Sequence, residues 1–335
     1  MNIYDISRRS GVSIATVSRV INNSPRVSAK TREKVLKVME ECGYVPNAFA
    51  RGLGLNTMKT IGLLCPNAAD PYLAQALAYL ERAFRAEGYD CLLTCTGREL
   101  SSRVQSLEEM QKRHVDGIVL MGSTFIESND RDNHYIRAAA RSIPLVLLNG
   151  SMQCENVYCV QCDDLHATME ATRFLTDSGR RRILYLYHSL NHSGQRKLDG
   201  YRAGLNASGL EADEDLIRFF SEDKMSVPLI RDYLLELHQS GLVFDAVLTS
   251  EDVLAVGAAK YARILGLSIP QDLCIIGYNN STMCLCCEPE ITSVDNKLQA
   301  ICSQCVQTML GVLNQQDMPR KTVFAAELIR RGSTL

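Results

Sequence analysis

The sequence has no stretch approaching 18 uninterrupted apolar residues, and its opening Met1-Asn2-Ile3-Tyr4-Asp5 lacks the basic start and apolar run of a secretory leader. Membrane spans and export are therefore not expected, and the cytoplasm is the expected location. Low-complexity tracts and short-period repeats are missing, which argues against solenoids and disordered tails. A Gly-x-Ser-x-Gly nucleophile elbow and a phosphate-binding Gly-Lys-Ser/Thr loop are both absent. Gly52-Leu53-Gly54 has no third glycine and follows a helical pattern instead of a strand, so neither an enzyme nor a nucleotide cofactor is expected. A disulfide framework is also missing, because the 13 cysteines are odd in number and scattered. In a reducing compartment Cys65, Cys91, Cys95, Cys159 and Cys274, all in strand-like apolar runs, are expected to act as small hydrophobes.

What is present is a chain of 335 residues, 46% apolar and 22% charged. That length suits a small module joined to a two-lobed body with a sizeable core. The net charge of −2 hides an asymmetry. In the first 59 residues ten Lys and Arg face four Asp and Glu, leaving +6, so the remainder carries −8. A basic head on an acidic body suits a polyanion ligand, since each cation placed on a phosphate releases counterions.

The head reads as three short helices. Asn2 can cap the first, Ile3 to Ser10, with Ile3 and Ile6 inward, and Gly11 supplies the turn. Ser13 caps a second, Ile14 to Ile21, whose buried stripe is Val17, Val20 and Ile21. Ser28 caps a third, Ala29 to about Cys42, with Val35, Leu36 and Met39 inward and Gly43 as the stop. From Thr60 onward apolar runs of strand length alternate with helical patterns, which predicts parallel sheets covered by helices, an α/β body. The predicted division is a head at 1–46, a linker at 47–59 and a body at 60–335. Within the body, lobe 1 is expected at about 60–161 and 291–322, and lobe 2 at about 162–290 and 323–335.

The run Tyr4 to Asn22 meets the steric demands of a helix-turn-helix. Small Ser7 and Ser10 allow close helix crossing, Gly11 makes the turn, and short side chains at the start of the second helix let it enter a major groove. The predicted DNA contacts are Tyr4, Ser13, Ile14, Ala15, Thr16, Ser18, Arg19 and Asn22. Ile14 and Ala15 suit thymine methyls and shape, and Arg19 is the candidate for guanine. This run, with Val27-Ser28-Ala29-Lys30-Thr31-Arg32-Glu33-Lys34-Val35 and Gly43-Tyr44-Val45-Pro46-Asn47, resembles the Lac repressor (LacI/GalR) family, densely over the first 55 or so residues and at spaced motifs beyond.

The resemblance implies a type I periplasmic-binding-protein-like body behind the head, a homodimer on a pseudo-palindromic operator in double-stranded DNA, and a small-molecule effector, a sugar or sugar derivative, that modulates a repressor. It also implies a hinge helix over Asn47 to Leu53, with Asn47 as cap and Leu53 as a minor-groove wedge. Gly52 and Gly54 each lower helix propensity by about 1 kcal/mol, so such a hinge orders only when paired on DNA. No heptad tail follows Arg330-Arg331-Gly332-Ser333-Thr334, so a dimer is expected over a tetramer.

In the body the resemblance marks Asp70, Tyr72 and Ser123 as effector contacts, although Asp70 beside Pro71 can equally cap a helix. At four further positions the sequence departs from the family pattern, with Asn149, Lys197 ahead of Gly200-Tyr201, Glu251 ahead of Asp252, and Asn279 after Gly277-Tyr278. Lys197 replaces a planar guanidinium fork and Asn279 a strong acceptor, which points away from a typical neutral sugar. Phe220 is either a stacking face for a sugar ring or, with Phe219, part of the core. The helix from Tyr72 to Phe84 covers either a dimer interface or the sheet. A different reading, a thiol- or metal-responsive regulator, is motivated by Cys284, Cys286 and Cys287, by Cys302 and Cys305, and by His188 and His192; a zinc site, however, needs four converging ligands.

Overall fold

The computed structural model describes residues 2–22, 24–44, 57–127, 129–221 and 224–335. The head forms α1 (Ile3–Ser10), α2 (Ile14–Ile21) and α3 (Ala29–Glu41). Each start is capped as its sequence dictates. The Asn2 side chain accepts from the amides of Tyr4 and Asp5 while the Asp5 carboxylate accepts from Asn2 N–H, a reciprocal capping box. Ser13 and Ser28 accept from the amides of Thr16 and Thr31. Gly11 closes α1 at φ 63°, a left-handed conformation that a side chain would strain. Ile6, Val17, Val20, Val35 and Met39 make the small core. Leu36, expected inward, is instead half exposed, because its neighbours Val35 and Met39 already fill the face that α3 turns to α1 and α2.

The body contains two six-stranded sheets. The first, in the order β11-β5-β4-β3-β1-β2, is wholly parallel. Its strands are β1 (Thr60–Cys65), β2 (Asp90–Cys95), β3 (Gly117–Met121), β4 (Leu145–Leu148), β5 (Val157–Cys162) and β11 (Lys321–Phe324). The second runs β12-β10-β9-β8-β6-β7 and is parallel except for β12. It comprises β6 (Ile183–Tyr187), β7 (Ile217–Phe219), β8 (Ala246–Thr249), β9 (Cys274–Tyr278), β10 (Thr292–Asp295) and β12 (Glu327–Ile329). Parallel strands require crossovers, and helices covering both faces explain why β3, β4, β8 and β9 are buried along their whole length.

In lobe 1, α4 (Pro71–Ala86) and α11 (Leu298–Leu313) cover one face, and α5 (Leu100–Lys112) and α6 (His134–Ala140) the other. Leu73, Leu80 and Phe84 of α4 are buried in that core, so this helix covers the sheet. In lobe 2, α7 (Asp164–Asp177) and α8 (His192–Ala207) cover one face, and α9 (Val227–Gln239) and α10 (Asp252–Leu265) the other.

The chain crosses between lobes three times, at 162–163, 296–297 and 325–326. Two of these places correct the predicted boundaries. The return to lobe 1 comes after β10 and not at 291, because Thr292–Asp295 pair with β9 in the second sheet. The last crossing comes after Phe324 and not at 322, because β11 stays paired with β5 to that residue. Asp163 N–H donates to Phe324 O at 2.9 Å, tying the first crossing to the last.

Cysteine behaves largely as a small hydrophobe. Cys65, Cys159, Cys162, Cys274, Cys284, Cys302 and Cys305 are buried, and burial pushes the Cys65 and Cys302 thiols up to about 12. Cys95 departs from this and is exposed, since β2 is the edge strand. Cys302 and Cys305 lie in the lobe 1 core and Cys284 in the lobe 2 core, in different lobes.

Helices α7 and α8 approach closely because Gly200 and Gly204 lack side chains. A Cβ on Gly200 would lie 2.3 Å from Leu165 O, and one on Gly204 would lie 2.6 Å from Thr172 Cβ. Replacing Gly200→Ala is expected to destabilise the body by about 1–3 kcal/mol through overpacking against backbone, read as a lower midpoint in denaturant unfolding; an unchanged midpoint would show that the helices can separate freely.

Candidate nucleic-acid interface and ligand cleft

In the head, Ser13, Ile14, Ala15 and Arg19 are exposed along α2, with Thr16 and Ser18 partly so. Tyr4 is 62% exposed and Ile14 40%, although both are large side chains in a module with a very small core. The inner face of α2 is closed by Val17 and Val20. The capped start of α2 thus presents short side chains outward with a basic residue one turn on, the shape a groove-entering helix requires. Asn22 ends α2 and is partly buried. Asn47 and Leu53 lie outside the described residues.

In the body, the carboxyl ends of strands from both sheets meet around a cavity of about 80 Å³, where open α/β sheets bind ligands. Asp70, Tyr72, Ser123, Asn149, Lys197, Glu251 and Asn279 all line it. Phe220 does not. It is buried in the lobe 2 core against Tyr233, while Phe219 on the opposite side of the chain is half exposed. Residues the sequence reading did not assign to the cleft include Arg98, His188, Asn191 and Ser250. Each follows the carboxyl end of β2, β6 or β8 within a few residues, a positional signal available once the strands are marked.

Several cleft residues have structural partners as well. Asp70 caps α4, its Oδ1 accepting from Leu73 N–H at 3.0 Å. Asn149 sits at φ 61° and its Oδ1 accepts from Cys162 N–H at the first crossing. Asn279, at φ 99°, accepts from Asn296 Nδ2 at 3.0 Å beside the second. The Tyr72 hydroxyl is buried and has no hydrogen-bond partner among the described residues.

Lys197 is the central cation and is only 8% exposed. Its Nζ donates to Ser250 O at 3.1 Å and stands 3.7 Å from the centre of the Tyr278 ring. The Tyr278 hydroxyl in turn donates to Asp164 Oδ1 at 2.6 Å, and Ser193 donates to Oδ2 of the same carboxylate. Beside Lys197, Glu251 Oε1 lies 3.4 Å from His188 Nε2, and His188 Nδ1 meets Ser250 Oγ at 3.0 Å. The Glu251–His188 distance would suit an ion pair, but burial is the larger effect on each group. It pushes Glu251 up to about 8, with Asp70 adding to the shift, and pushes His188 down to about 3, with Lys197 and Arg98 adding to it. Burial thus favours the protonated form of Glu251 and the neutral form of His188.

Residues 2–47 match the family described as bacterial regulatory proteins, lacI family, and residues 172–334 match the periplasmic binding protein-like domain. The chain is 48% identical over 334 residues, 100% of this chain and 99% of the other, to an HTH-type transcriptional regulator of Lachnoclostridium phytofermentans. Among solved structures it resembles the Lac repressor dimer bound to operator and the anti-inducer ONPF (TM-score 0.88, 24% identity, 100% and 99% of the two chains). It also resembles the transcriptional regulator CelR in complex with cellobiose (TM-score 0.72, 26% identity, 99% of each chain).

Two opposite pH dependences follow from the partly buried pair. Between about pH 4.5 and 8 the folded state binds more protons at Glu251 than the unfolded chain, so this group lowers stability as pH rises. His188 binds fewer, so it lowers stability as pH falls from 6.5 toward 3. Glu251→Gln is expected to match the parent melting temperature near pH 5 and exceed it by pH 9; a difference that does not change with pH would show that Glu251 is ionised throughout. From the head with its capped, outward-facing second helix, the two-lobed body and a relative nearly half identical over its whole length, the chain belongs to the LacI family of bacterial DNA-binding transcriptional regulators.

Proposed function

We propose that the chain works as a homodimeric repressor whose operator affinity is set by a sugar-class effector in the interlobe cleft. The observation that carries the DNA half is the outward face of α2, where Ser13, Ile14 and Ala15 at a capped start leave room for base edges and Arg19 follows. In this reading Arg19 takes guanine, Ile14 and Ala15 take thymine methyls, and Tyr4, Thr16, Ser18 and Asn22 position the head. The segment 47–59 joins head to body, and Asn47 and Leu53 in it are assigned to the DNA-contacting set, Leu53 at the minor groove.

The effector half is supported by the polar lining of the cleft at strand ends and by the cellobiose complex of the CelR relative. Three crossings between the lobes let them close as bodies on a ligand. Closure then shifts the lobe 1 pair and alters the spacing of the hinges, and the sign of the response follows from which state the ligand prefers.

Selection from random duplexes with the full chain is expected to yield one palindrome whose affinity falls steeply with salt. Arg19→Ala is expected to lose about 1–3 kcal/mol of discrimination at one base pair per half-site. Uniform weakening over all sequences would make Arg19 a phosphate contact, and recovery of no palindrome would refute the DNA reading.

A further inference from the structure

The cleft holds two adjoining chambers of different lining. The smaller, about 80 Å³, is lined by the cations Lys197 and Arg98 together with Asp70 and Glu251. The larger, about 350 Å³, shares Asp70, Tyr72, Glu251 and Asn279 with it and adds Asp252 and the apolar Pro71, Met225, Val253 and Met283. The cations thus line only the smaller chamber, Asp252 only the larger, and Asp70 and Glu251 the wall between. Among the described residues, the buried ammonium of Lys197 meets a carbonyl and an aromatic face but no carboxylate within ion-pair distance. A buried cation without a counter-charge is unfavourable, and removing water from the cleft makes it more so.

We propose that the effector is an anionic sugar whose acid group seats against Lys197 in the smaller chamber while its ring, or a second ring, fills the larger one. This inference rests on the reading of the cleft as a sugar site and names the class of sugar. The ligand's negative charge supplies the partner that Lys197 lacks. The start of α8 opens into the same chamber through Ser193 and Gly194, adding the positive end of a 16-residue helix.

The acidic residues nearby do not oppose an anion strongly. Asp70 Oδ1 is turned to the Leu73 amide, and Asp252 is bound by Ser293 and by the Ser281 amide. Glu251 is pushed up to about 8 by burial and so is largely uncharged at neutral pH. Along the wall of the larger chamber these carboxyl groups are placed to take sugar hydroxyls. Lysine suits this task because a compact ammonium pairs with a carboxylate or a phosphate oxygen without the planar fit that a guanidinium fork imposes.

The test is calorimetric titration of the full chain with three sets of probes: glucose and cellobiose; glucuronate and cellobionate; and glucose 6-phosphate. The expected result is that an acid binds more tightly than its neutral parent by about tenfold or more, and that this advantage shrinks with added salt. The advantage should disappear in Lys197→Gln and persist in Lys197→Arg, with melting curves confirming that both variants fold. The wild-type comparison decides the matter even where a variant does not. A preference for the carboxylates over the phosphate, or the reverse, identifies the acid group. If the neutral parents bind as tightly as the acids, the anionic inference is overturned and the sugar reading stands. If no probe binds, both are overturned.

Discussion

The constraint on which the body depends is that its two sheets share one chain that crosses between them three times, at 162–163, 296–297 and 325–326. Each lobe has its own apolar core on both sheet faces, so each can move as a unit. Every crossing runs past the carboxyl ends of strands, which also form the cleft. Asn149 accepts from Cys162 at the first crossing and Asn279 is bound to Asn296 beside the second, so two residues lining the cleft are fastened to the hinges. On the proposed reading, a ligand that changes how these side chains sit would act directly on the crossing segments.

The electrostatics of the cleft follow from the same geometry. Strands ending in a cleft between two cores place polar groups partly out of water, and the protein compensates by favouring the uncharged form of some and pairing others. Burial raises the pKa of Glu251 and lowers that of His188, so both lean to their uncharged forms. Asp164 is bound by Tyr278 and Ser193, and Lys197 leans on the ring of that tyrosine. The chain from Lys197 through Tyr278 to Asp164 links the cleft to the start of α7, immediately after the first crossing.

Much of this was legible in the residues. The caps Asn2, Ser13 and Ser28 and the turn glycine Gly11 placed the three head helices, and continuous apolar runs marked the central strands because parallel sheets bury both faces. The misread places were those where burial and polarity disagree. Thr292 and Ser293 are fully buried yet polar, since their hydroxyls bond Arg331 and Asp252, so β10 did not stand out as a strand and the second crossing was set too early. Phe219 and Phe220 are alike in sequence and were separable only by strand parity, which turns one outward and the other into the core. His188, a candidate for a metal or thiol site by sequence, lies on the cleft wall, because a histidine after a strand has the same local sequence in either case. Among the described residues no cluster of three or more potential metal ligands forms, and the relatives offer no support for a thiol or metal sensor.

The head and the cleft have meaning together only if occupancy of one changes the other. Linkage makes this reciprocal, since a ligand that weakens operator binding by some factor must itself bind the operator complex more weakly by that factor. The most direct measurement is therefore a paired titration: operator affinity by fluorescence anisotropy with and without a cleft ligand, and ligand affinity by calorimetry with and without operator. The account predicts two equal, non-unit factors. Ligand affinity that ignores the operator would contradict it.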